Sequence, residues 1–254
     1  MTIFYFTATG NSLAVAKRIA AQAQEEVTLI SIPQIMDNLM SEYQDDCIGL
    51  IFPIYGCGLP KMVNQFLSHT KLKADYTFTI GTYGFMSGAC MFNVQKQGGF
   101  DYAESLLMVD NYLPGYEITE EIAKQPQKKT EENLQKILSN ISARQKKSNV
   151  STLPWKILTP LIQFIGSTLI KNNQAKGYFV NENCVKCNVC AKVCPSGNIT
   201  VSDKVHFHQQ CEGCLSCVHL CPKNAIHVKH ERSTVRWRHP DITLNEIIEA
   251  NNRI

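Results

Sequence analysis

The sequence predicts an α/β domain built on a doubly wound parallel sheet, followed by a small cysteine-rich domain. Three observations support this: apolar runs alternate with amphipathic stretches over the first 115 residues, cysteines cluster late in the chain, and their cluster contains an internal repeat. Of the 11 cysteines, 8 lie between Cys184 and Cys221. An odd total clustered in this way favours metal ligation in a reducing compartment over disulfide bonds.

Composition excludes several classes of protein. The chain has 254 residues, which suits one large domain or two smaller ones, and 44% of them are hydrophobic, which excludes wholesale disorder and a collagen-like fibre. The net charge of +3 indicates neither a nucleic-acid binder nor a polybasic membrane protein. Residues 1–7 lack the features of a signal peptide, so we expect a cytoplasmic location.

Five short apolar or β-rich runs predict the strands of the first domain. They are Ile3–Phe6, Val27–Ile32, Cys47–Pro53, Tyr76–Thr82 and Ser105–Val109. Helix-like segments lie between them, at Asn11–Gln24, Lys61–Leu67 and Gly88–Gly99, and a last helix is predicted within residues 117–148. Near-continuous apolar runs are typical of strands buried on both faces, so the alternation predicts a parallel sheet of about five strands.

The predicted boundaries divide the chain into four parts: residues 1–150, a connecting helix or linker at 151–176, the cysteine-rich domain at 177–230 and a tail at 231–254. The segment Leu153–Ile170 is apolar but contains Lys156, Pro160 and Gln163. These interruptions favour a buried inter-domain or surface-docked helix over a membrane-spanning one. We therefore do not expect membrane association, and we hypothesise that this segment sets the relative placement of the two domains.

Two cysteine runs carry the metal chemistry. Each has the spacing C-x2-C-x2-C-x3-C-P, the first beginning at Cys184 and the second at Cys211, an offset of 27 residues. Soft thiolates suit iron that is already bridged by sulfide. Structural zinc sites also use C-x2-C pairs, but zinc does not explain this longer pattern occurring twice.

This stretch resembles the bacterial-type two-cluster ferredoxin. In that family the fourth cysteine of each run ligates the other cluster. The resemblance implies two 4Fe-4S clusters, one held by Cys184, Cys187, Cys190 and Cys221, the other by Cys211, Cys214, Cys217 and Cys194. Because so small a domain has few large apolar side chains, we expect it to be unfolded or molten without iron.

The first predicted strand ends in T-A-T-G-N-S, immediately before a helix. Backbone N–H groups, hydroxyls and a flexible glycine at a helix N-terminus suit a phosphate group. The loop lacks the lysine of a Walker A motif, and the chain has no G-x-G-x-x-G, so a phosphomonoester such as that of FMN is favoured. The candidate residues are Thr7, Ala8, Thr9, Gly10, Asn11 and Ser12.

Two later loops follow the third and fourth predicted strands, at the edge of the sheet where ligands bind. Tyr55 and Tyr83 could stack on a flat ring system, or could simply pack within their loops. The candidate residues of these loops are Pro53, Ile54, Tyr55, Gly56, Thr82, Tyr83, Gly84 and Gly88.

Residues 1–148 resemble flavodoxin. The segment T-A-T-G-N-S is similar to its phosphate loop, and Y-G-F-M-S-G-A is similar to its Y-E-x-F-C-G-A segment, with Tyr83 at the stacking position. The resemblance implies a flavodoxin-like fold with FMN as cofactor. The sequence departs from flavodoxins just before Tyr83, where Ile80-Gly81-Thr82 lacks their aspartate near the pyrimidine edge of the flavin.

Some further residues have two interpretations. Cys57 and Cys90 are either small buried hydrophobic residues or, for Cys57, a group that tunes or adds to a flavin. The tail is either solvated or an arm across the domain joint, or else a dock for an acidic partner through its arginines. These are Arg232, Arg236 and Arg238. His206, His208 and His219 are expected to be exposed or packing residues rather than ligands.

Together the two halves resemble a flavodoxin–ferredoxin fusion family known as ferrodoxins, whose inferred role is electron transfer in anaerobic or microaerobic prokaryotes. The resemblance implies an electron carrier that couples one- and two-electron chemistry and exchanges electrons with redox partner proteins. An FMN-dependent reductase of a small quinone-like molecule, with the clusters as its internal wire, and a redox sensor are the alternatives. The sequence leaves open whether the chain is an enzyme.

Overall fold

The computed structural model describes residues 1–147, 154–155, 157–162 and 177–253. Its centre is a five-stranded parallel sheet with strand order β2-β1-β4-β6-β7, which confirms the predicted fold class. The strands of this sheet are β1 (Thr2–Tyr5), β2 (Thr28–Ser31), β4 (Cys47–Pro53), β6 (Tyr76–Tyr83) and β7 (Tyr102–Leu107).

Helices cover both faces of the sheet, and successive strand residues point to opposite cores. Ile3 and Tyr5 of β1 belong to one core with residues of α1 and α6, whereas Phe4 packs on the other side with α3 and α4. This alternation is the period-2 geometry of a strand buried on both faces. The helices are α1 (Asn11–Gln22), α2 (Ile32–Ile35), α3 (Lys61–His69), α4 (Cys90–Gly98), α5 (Ile118–Ala123) and α6 (Thr130–Ser142).

The last strand of the sheet lies earlier in the chain than expected. The sequence predicts it at Ser105–Val109, but β7 begins at Tyr102, which pairs with Phe78 of β6. Tyr102 and Ala103 are buried, so the pairing with β6 begins three residues before Ser105. A two-stranded parallel pair that the sequence did not predict, β3 (Glu42–Gln44) with β5 (Lys71–Lys73), lies beside the sheet.

The cysteine-rich domain consists of two copies of one small unit. Each copy has a strand, a four-residue helix and a second strand, and the copies are offset by 27 residues, as the sequence repeat predicts. The strands form two antiparallel pairs, each of which joins the first strand of one copy to the last strand of the other. The elements are β8 (Tyr178–Val180), α7 (Val189–Lys192), β9 (Ile199–Val201), β10 (Val205–Phe207), α8 (Ser216–His219) and β11 (Ile226–Val228).

The chain ends in a segment that we call the C-terminal arm, residues 231–253. Its helix α9 (Leu244–Asn251) is capped by Thr243, whose side chain forms a reciprocal capping box with that of Glu246. Ile242 and Ile247 of the arm are buried in the same core as Ile3 and Tyr5 of the sheet. The arm therefore packs on the α/β domain.

The connecting segment is only partly described. Residues 157–162 are helical, and the buried Thr159 accepts a hydrogen bond at its Oγ1 from the N–H of Ala89, whereas Ile157 and Leu161 are exposed. Most of Leu153–Ile170 and residues 171–176 lie outside the described residues, so its expected role in placing the two domains stays a hypothesis. Within the described ranges, no helix has the length and apolar character needed to cross a membrane.

A glycine in the middle of the sheet makes room for a buried aromatic ring. A Cβ at Gly49 would lie 2.3 Å from Cζ of Phe78, its partner on β6. We expect Gly49→Ala to lower the free energy of unfolding by roughly 1–3 kcal/mol, because the packed sheet cannot move the ring away. Urea denaturation would measure this.

The smaller side chain of Phe78→Leu should relieve part of the clash. The double variant Gly49→Ala/Phe78→Leu should therefore lose less stability than the sum of the two single losses. Additive losses, or a Gly49→Ala variant as stable as the parent chain, would show that the ring does not set this limit.

Candidate functional site

The loops at the carboxyl edge of the sheet enclose a cavity of about 380 Å³. Its size is in the range of small-molecule and cofactor sites. Twelve of the fourteen predicted flavin-site residues line it, namely Thr7, Ala8, Thr9, Asn11, Ser12, Pro53, Ile54, Tyr55, Gly56, Thr82, Tyr83 and Gly84. Gly10 and Gly88 do not reach its wall.

The first loop, Thr7 to Ser12, turns sharply into α1. Gly10 has φ 102°, a left-handed conformation that a residue with a Cβ rarely adopts, and its N–H donates to Oγ1 of Thr7 at 3.2 Å. Oγ of Ser12 lies 2.9 Å from Oγ1 of Thr82, so the first loop is tied to the third. The N–H groups of Ala8, Thr9 and Asn11 have no partner within the described residues. Free N–H groups and hydroxyls at a helix N-terminus fit a phosphate group.

The second and third loops bring Tyr55 and Tyr83 to the cavity wall. Burial raises the pKa of Tyr55 well above its ordinary value, so its hydroxyl stays protonated. Cys57 is almost fully buried, and burial raises the pKa of its thiol. It packs against Gly88, where a Cβ would lie 2.7 Å from the Cβ of Cys57. Cys90 is buried as well and does not line the cavity, which favours its interpretation as a packing residue. Cys57 lines the cavity, so both of its interpretations stay predictions.

The eight clustered cysteines fall into two groups, each around its own small cavity. One cavity is lined by Cys184, Cys187, Cys190 and Cys221, and the other by Cys194, Cys211, Cys214 and Cys217. Each cavity thus combines three cysteines of one run with the fourth cysteine of the other. In the described part of the chain, no three His, Cys, Asp or Glu side chains are arranged to hold a single metal ion. The role of the eight cysteines as cluster ligands stays a prediction.

Backbone N–H groups donate to several of these sulfurs. The N–H of Asn198 lies 3.2 Å from Sγ of Cys194, and the N–H of Ala225 lies 3.2 Å from Sγ of Cys221. The N–H of Gly213 donates to Sγ of Cys211 at 3.3 Å. Donors aimed at sulfur stabilise thiolates and tune the potential of an iron–sulfur cluster, so the donor set fits such a group.

Two family models match the chain in series. A model described as a flavodoxin domain matches residues 2–83, and a model described as a 4Fe-4S dicluster domain matches residues 166–240. We call the two parts of the chain that contain these matches the flavodoxin domain and the dicluster domain. The first domain implies a flavin, and the second implies iron–sulfur clusters. Both cofactors carry electrons, which supports a redox or electron-transfer role.

Solved structures also resemble the chain. A Bacteroides uniformis protein described as a flavoprotein is 17% identical, with 42% of this chain and 89% of that chain covered and a TM-score of 0.33. Two-electron reduced Megasphaera elsdenii flavodoxin is 22% identical, with 41% and 83% covered and a TM-score of 0.30. The Trp repressor binding protein of Bacillus subtilis is 12% identical, with 58% and 99% covered and a TM-score of 0.33. No curated protein matches the chain.

A fourth loop of the flavodoxin domain, after β7, also lines the cavity, and the sequence analysis did not predict it. It contributes Asp110, Asn111, Tyr112 and Tyr116. Burial raises the pKa of Asp110, whose carboxylate accepts a hydrogen bond from the N–H of Tyr112. The position of this loop was predictable, because β7 ends at the same edge of the sheet as β1, β4 and β6.

The dicluster domain supplies the remaining wall of the flavodoxin cavity. Glu212, Cys214 and Leu215 line this cavity and also line the cavity of the second cysteine group. Glu212 Oε2 accepts a hydrogen bond from the N–H of Lys61, the first residue of α3, at 2.9 Å. Lys61 Nζ in turn donates to the carbonyl of Cys211 at 3.2 Å. The two candidate sites therefore share one loop, which is anchored to the flavodoxin domain at both points.

The C-terminal arm lies across the joint between the two domains. Nε1 of Trp237 donates to Oδ1 of Asn11 at 3.1 Å, and its backbone N–H donates to Nδ1 of His219 at 3.0 Å. Nε2 of His219 lies 2.7 Å from the carbonyl of Asn111, and burial lowers the pKa of His219 to about 4, so the ring is neutral and bridges the two domains. His219 is thus a packing residue, as expected, and Arg236 is paired with Glu231 inside the arm.

A buried ion pair, Lys128 with Glu121, contacts the backbone of the third and fourth loops. Nζ of Lys128 donates to Oε2 of Glu121 at 2.7 Å and to the carbonyls of Gly84 and Met108 at 3.1 and 2.8 Å. The two side chains are only 8% and 5% exposed. Burial alone would raise the pKa of Glu121, but hydrogen bonds from Lys128 and Lys124 hold it below its ordinary value.

Removing the lysine would leave Oε2 of the buried Glu121 and two carbonyls without their partner, whereas Oε1 would keep its hydrogen bond from Lys124. We expect Lys128→Met to lower the free energy of unfolding by about 3–5 kcal/mol, as measured by urea denaturation at neutral pH. The matched control is Lys136→Met, which breaks a surface pair with Glu132 whose side chains are 64% and 53% exposed. That variant should lose less than about 1 kcal/mol. Equal losses in the two variants would show that the burial of the Lys128–Glu121 pair does not increase its contribution to the free energy of unfolding.

Proposed function

We propose that this chain relays electrons between an FMN, bound in the cavity of the flavodoxin domain, and two 4Fe-4S clusters bound by the eight cysteines of the dicluster domain. One observation carries the proposal: Glu212, Cys214 and Leu215 form a wall common to the flavodoxin cavity and the cavity of the second cysteine group. A flavin exchanges one or two electrons and a cluster exchanges one. A common wall between their cavities therefore suits conversion between two-electron and one-electron transfer.

The residues of the chain have distinct tasks in this proposal. The N–H groups and hydroxyls of the Thr7–Ser12 loop bind the phosphate, while Tyr55 and Tyr83 flank the ring system. Glu212, through its hydrogen bond to the N–H of Lys61, keeps the Cys211–Leu215 loop on the flavodoxin domain. The eight cysteines supply thiolates in the two crossed groups that their cavities define.

The first cysteine group is the natural place for exchange with redox partner proteins. None of its four cysteines lines the flavodoxin cavity, and Cys187 and its neighbours Val185 and Lys186 are exposed. The second group is more enclosed, since Cys194 and Cys217 are buried. Electrons would thus pass between the flavin and a partner by way of the second group and then the first.

A second candidate function is reduction of a small planar acceptor such as a quinone at the flavin. The rim of the cavity favours it, because Phe85 is 70% exposed and its ring centroid lies 6.2 Å from that of Tyr116. Exposed aromatic rings beside a cofactor site suit stacking of a flat molecule. A naphthoquinone tests this: Phe85→Ala should raise its KM several-fold, and an unchanged KM would exclude the rim as its binding place.

The cofactor content is the first measurement to make. Purified without oxygen and reconstituted, the chain should hold about eight irons, about eight sulfides and about one FMN. Cys187→Ala and Cys214→Ala, one in each cysteine group, should each lower the iron content to about half. Cys47→Ala, which replaces a buried cysteine of the sheet, is the matched control and should keep all the iron. Iron without flavin, even after FMN is added, would contradict the flavin half of the proposal.

The relay itself has a kinetic signature. After a light pulse that reduces the flavin, oxidation of the flavin and reduction of the clusters should follow one rate that does not depend on protein concentration. Cys214→Ala should abolish this concentration-independent transfer, because the variant should lack the cluster of the second group, whose cavity shares a wall with the flavodoxin cavity. A rate proportional to protein concentration would mean exchange between molecules, and it would overturn the relay.

A further inference from the structure

Residues outside the flavodoxin domain bind the backbone of its phosphate loop. Oγ of Ser216 donates a hydrogen bond to the carbonyl of Ala8 at 2.8 Å. The backbone N–H of His239 donates to the carbonyl of Thr9 at 2.8 Å. Ser216 belongs to α8 of the dicluster domain and His239 to the C-terminal arm, so two separate elements converge on one loop of the other domain.

Asn251, at the end of the arm, binds the preceding carbonyl. Its Nδ2 lies 3.0 Å from the carbonyl of Thr7 and 3.3 Å from the carbonyl of Val193, which precedes Cys194. The side chain is fully buried, and its Oδ1 has no partner among the residues the structure describes. Burying an amide costs free energy unless it makes hydrogen bonds, so its two donor contacts account for its position.

Three successive carbonyls of the loop, those of Thr7, Ala8 and Thr9, are therefore held from outside the flavodoxin domain. A peptide group is planar, so the fixed carbonyls of Thr7 and Ala8 also fix the directions of the N–H groups of Ala8 and Thr9. The carbonyl of Thr9 shares its plane with the N–H of Gly10, which donates to Oγ1 of Thr7. The N–H of Asn11 shares its plane with the carbonyl of Gly10, which accepts a hydrogen bond from the N–H of Ala14 in α1. The N–H groups of Ala8, Thr9 and Asn11 have no partner within the described residues and remain available to an anion. Donors that are already oriented bind an anion more tightly than donors that must first be ordered.

Gly10 shows how closely the arm approaches this loop. A Cβ at Gly10 would lie 3.0 Å from the Cβ atoms of both His239 and Ile242. The arm therefore packs directly against the turn that begins α1. Thr7, Thr9 and Ser12 are each at most 2% exposed, so this end of the cavity is closed.

We propose that Ser216, His239 and Asn251 are positioning residues of the flavin phosphate site, and that FMN binding and the folded, cluster-bearing state of the dicluster domain stabilise each other through them. This inference rests on the proposed function, because it takes the loop Thr7–Ser12 as the phosphate site. It adds that the site is completed by the second domain.

The coupling follows from where the three contacts originate. Ser216 lies between Cys214 and Cys217, and Val193, the second partner of Asn251, is adjacent to Cys194. All three cysteines belong to the second group. Loss of the iron held by this group would free the segment that carries Ser216, and the phosphate loop would lose a fixed carbonyl. By linkage, FMN must then favour retention of iron by the same factor.

The test compares FMN with riboflavin, which has the same ring system and no phosphate. Dissociation constants are measured by flavin fluorescence quenching on the full reconstituted chain. Ser216→Ala and Asn251→Ala should each weaken FMN binding about three- to tenfold, the range of one hydrogen bond, and should change riboflavin binding less than twofold.

Each variant has a matched control. Ser202→Ala replaces an exposed serine of the dicluster domain whose hydroxyl donates to the adjacent Asp203. Asn245→Ala replaces an exposed asparagine on the same helix as Asn251. Both controls should bind FMN as the parent chain does. Iron content is measured for every variant, so that loss of a cluster is recognised.

Two results would overturn the proposal: unchanged FMN affinity in Ser216→Ala and Asn251→Ala, or equal weakening of FMN and riboflavin, which would reduce both residues to supports of the fold. A parent chain that binds neither flavin would overturn the proposed function itself, and with it this inference. Where a variant fails to fold, the coupling is tested on the parent chain by measuring the release of iron to a chelator. FMN should slow this release, and riboflavin should slow it much less. Equal release rates with FMN and without it would exclude the coupling.

Discussion

The attachment of the second domain to the carboxyl edge of the sheet determines the rest of this structure. In a parallel sheet every strand delivers its following loop to the same edge, and there the backbone leaves donors and acceptors without sheet partners. In this chain, the carbonyls and the N–H groups of the first loop have different partners. The carbonyls of the first loop are bound by Ser216, His239 and Asn251, and the N–H groups of the same loop are left for a ligand. The ligand site and the domain interface are therefore built from the same few peptide groups.

The cysteine loops follow a second constraint, that of wrapping a short chain around a compact group. Left-handed backbone recurs at the same places of both copies: Lys186 and Gly213 have φ 54° and 71°, and Asn188 and Leu215 have φ 64° and 58°. For lysine and leucine this conformation costs about 1–2 kcal/mol each. Residues are held so only where their surroundings fix them, as the Cys211–Leu215 loop is fixed by its contacts with the flavodoxin domain. Conformational strain and domain attachment thus coincide in the loop that separates the two cavities.

The sequence predicted those features that depend on the spacing of residues close together in the chain. The five strands, the loop Thr7–Ser12, the two loops with Tyr55 and Tyr83 and the repeat of 27 residues were all predicted from short-range spacing. The sheet and the repeat are confirmed. The predicted start of the last strand, Ser105, was wrong by three residues, because the strand begins where Tyr102 pairs with Phe78, a contact between distant parts of the chain.

The fourth loop with Asp110 and the wall formed by Glu212 were missed for a similar reason. Neither has a motif of its own, and each reaches the site only through the tertiary fold. Gly10 shows the opposite case. Its sequence context indicated flexibility at a phosphate loop, but the structure adds a second reason for a glycine there, the close approach of His239 and Ile242.

The two domains also share a hydrophobic core, and this changes what stabilises the second one. Val193 and Leu220 of the dicluster domain are buried together with Ile3 and Tyr5 of the sheet, and Ile247 of the arm completes the contact. A small cysteine-rich domain on its own buries too little apolar surface to fold without metal. Here part of that surface is covered by the flavodoxin domain, which contributes burial free energy whether or not iron is bound. In the proposed function, iron would act mainly on the loops around the cysteines. Those loops, and not the shared core, carry Glu212 and Ser216 to the flavodoxin site, so the element that would depend most on metal is also the one that supplies the last wall of the cavity.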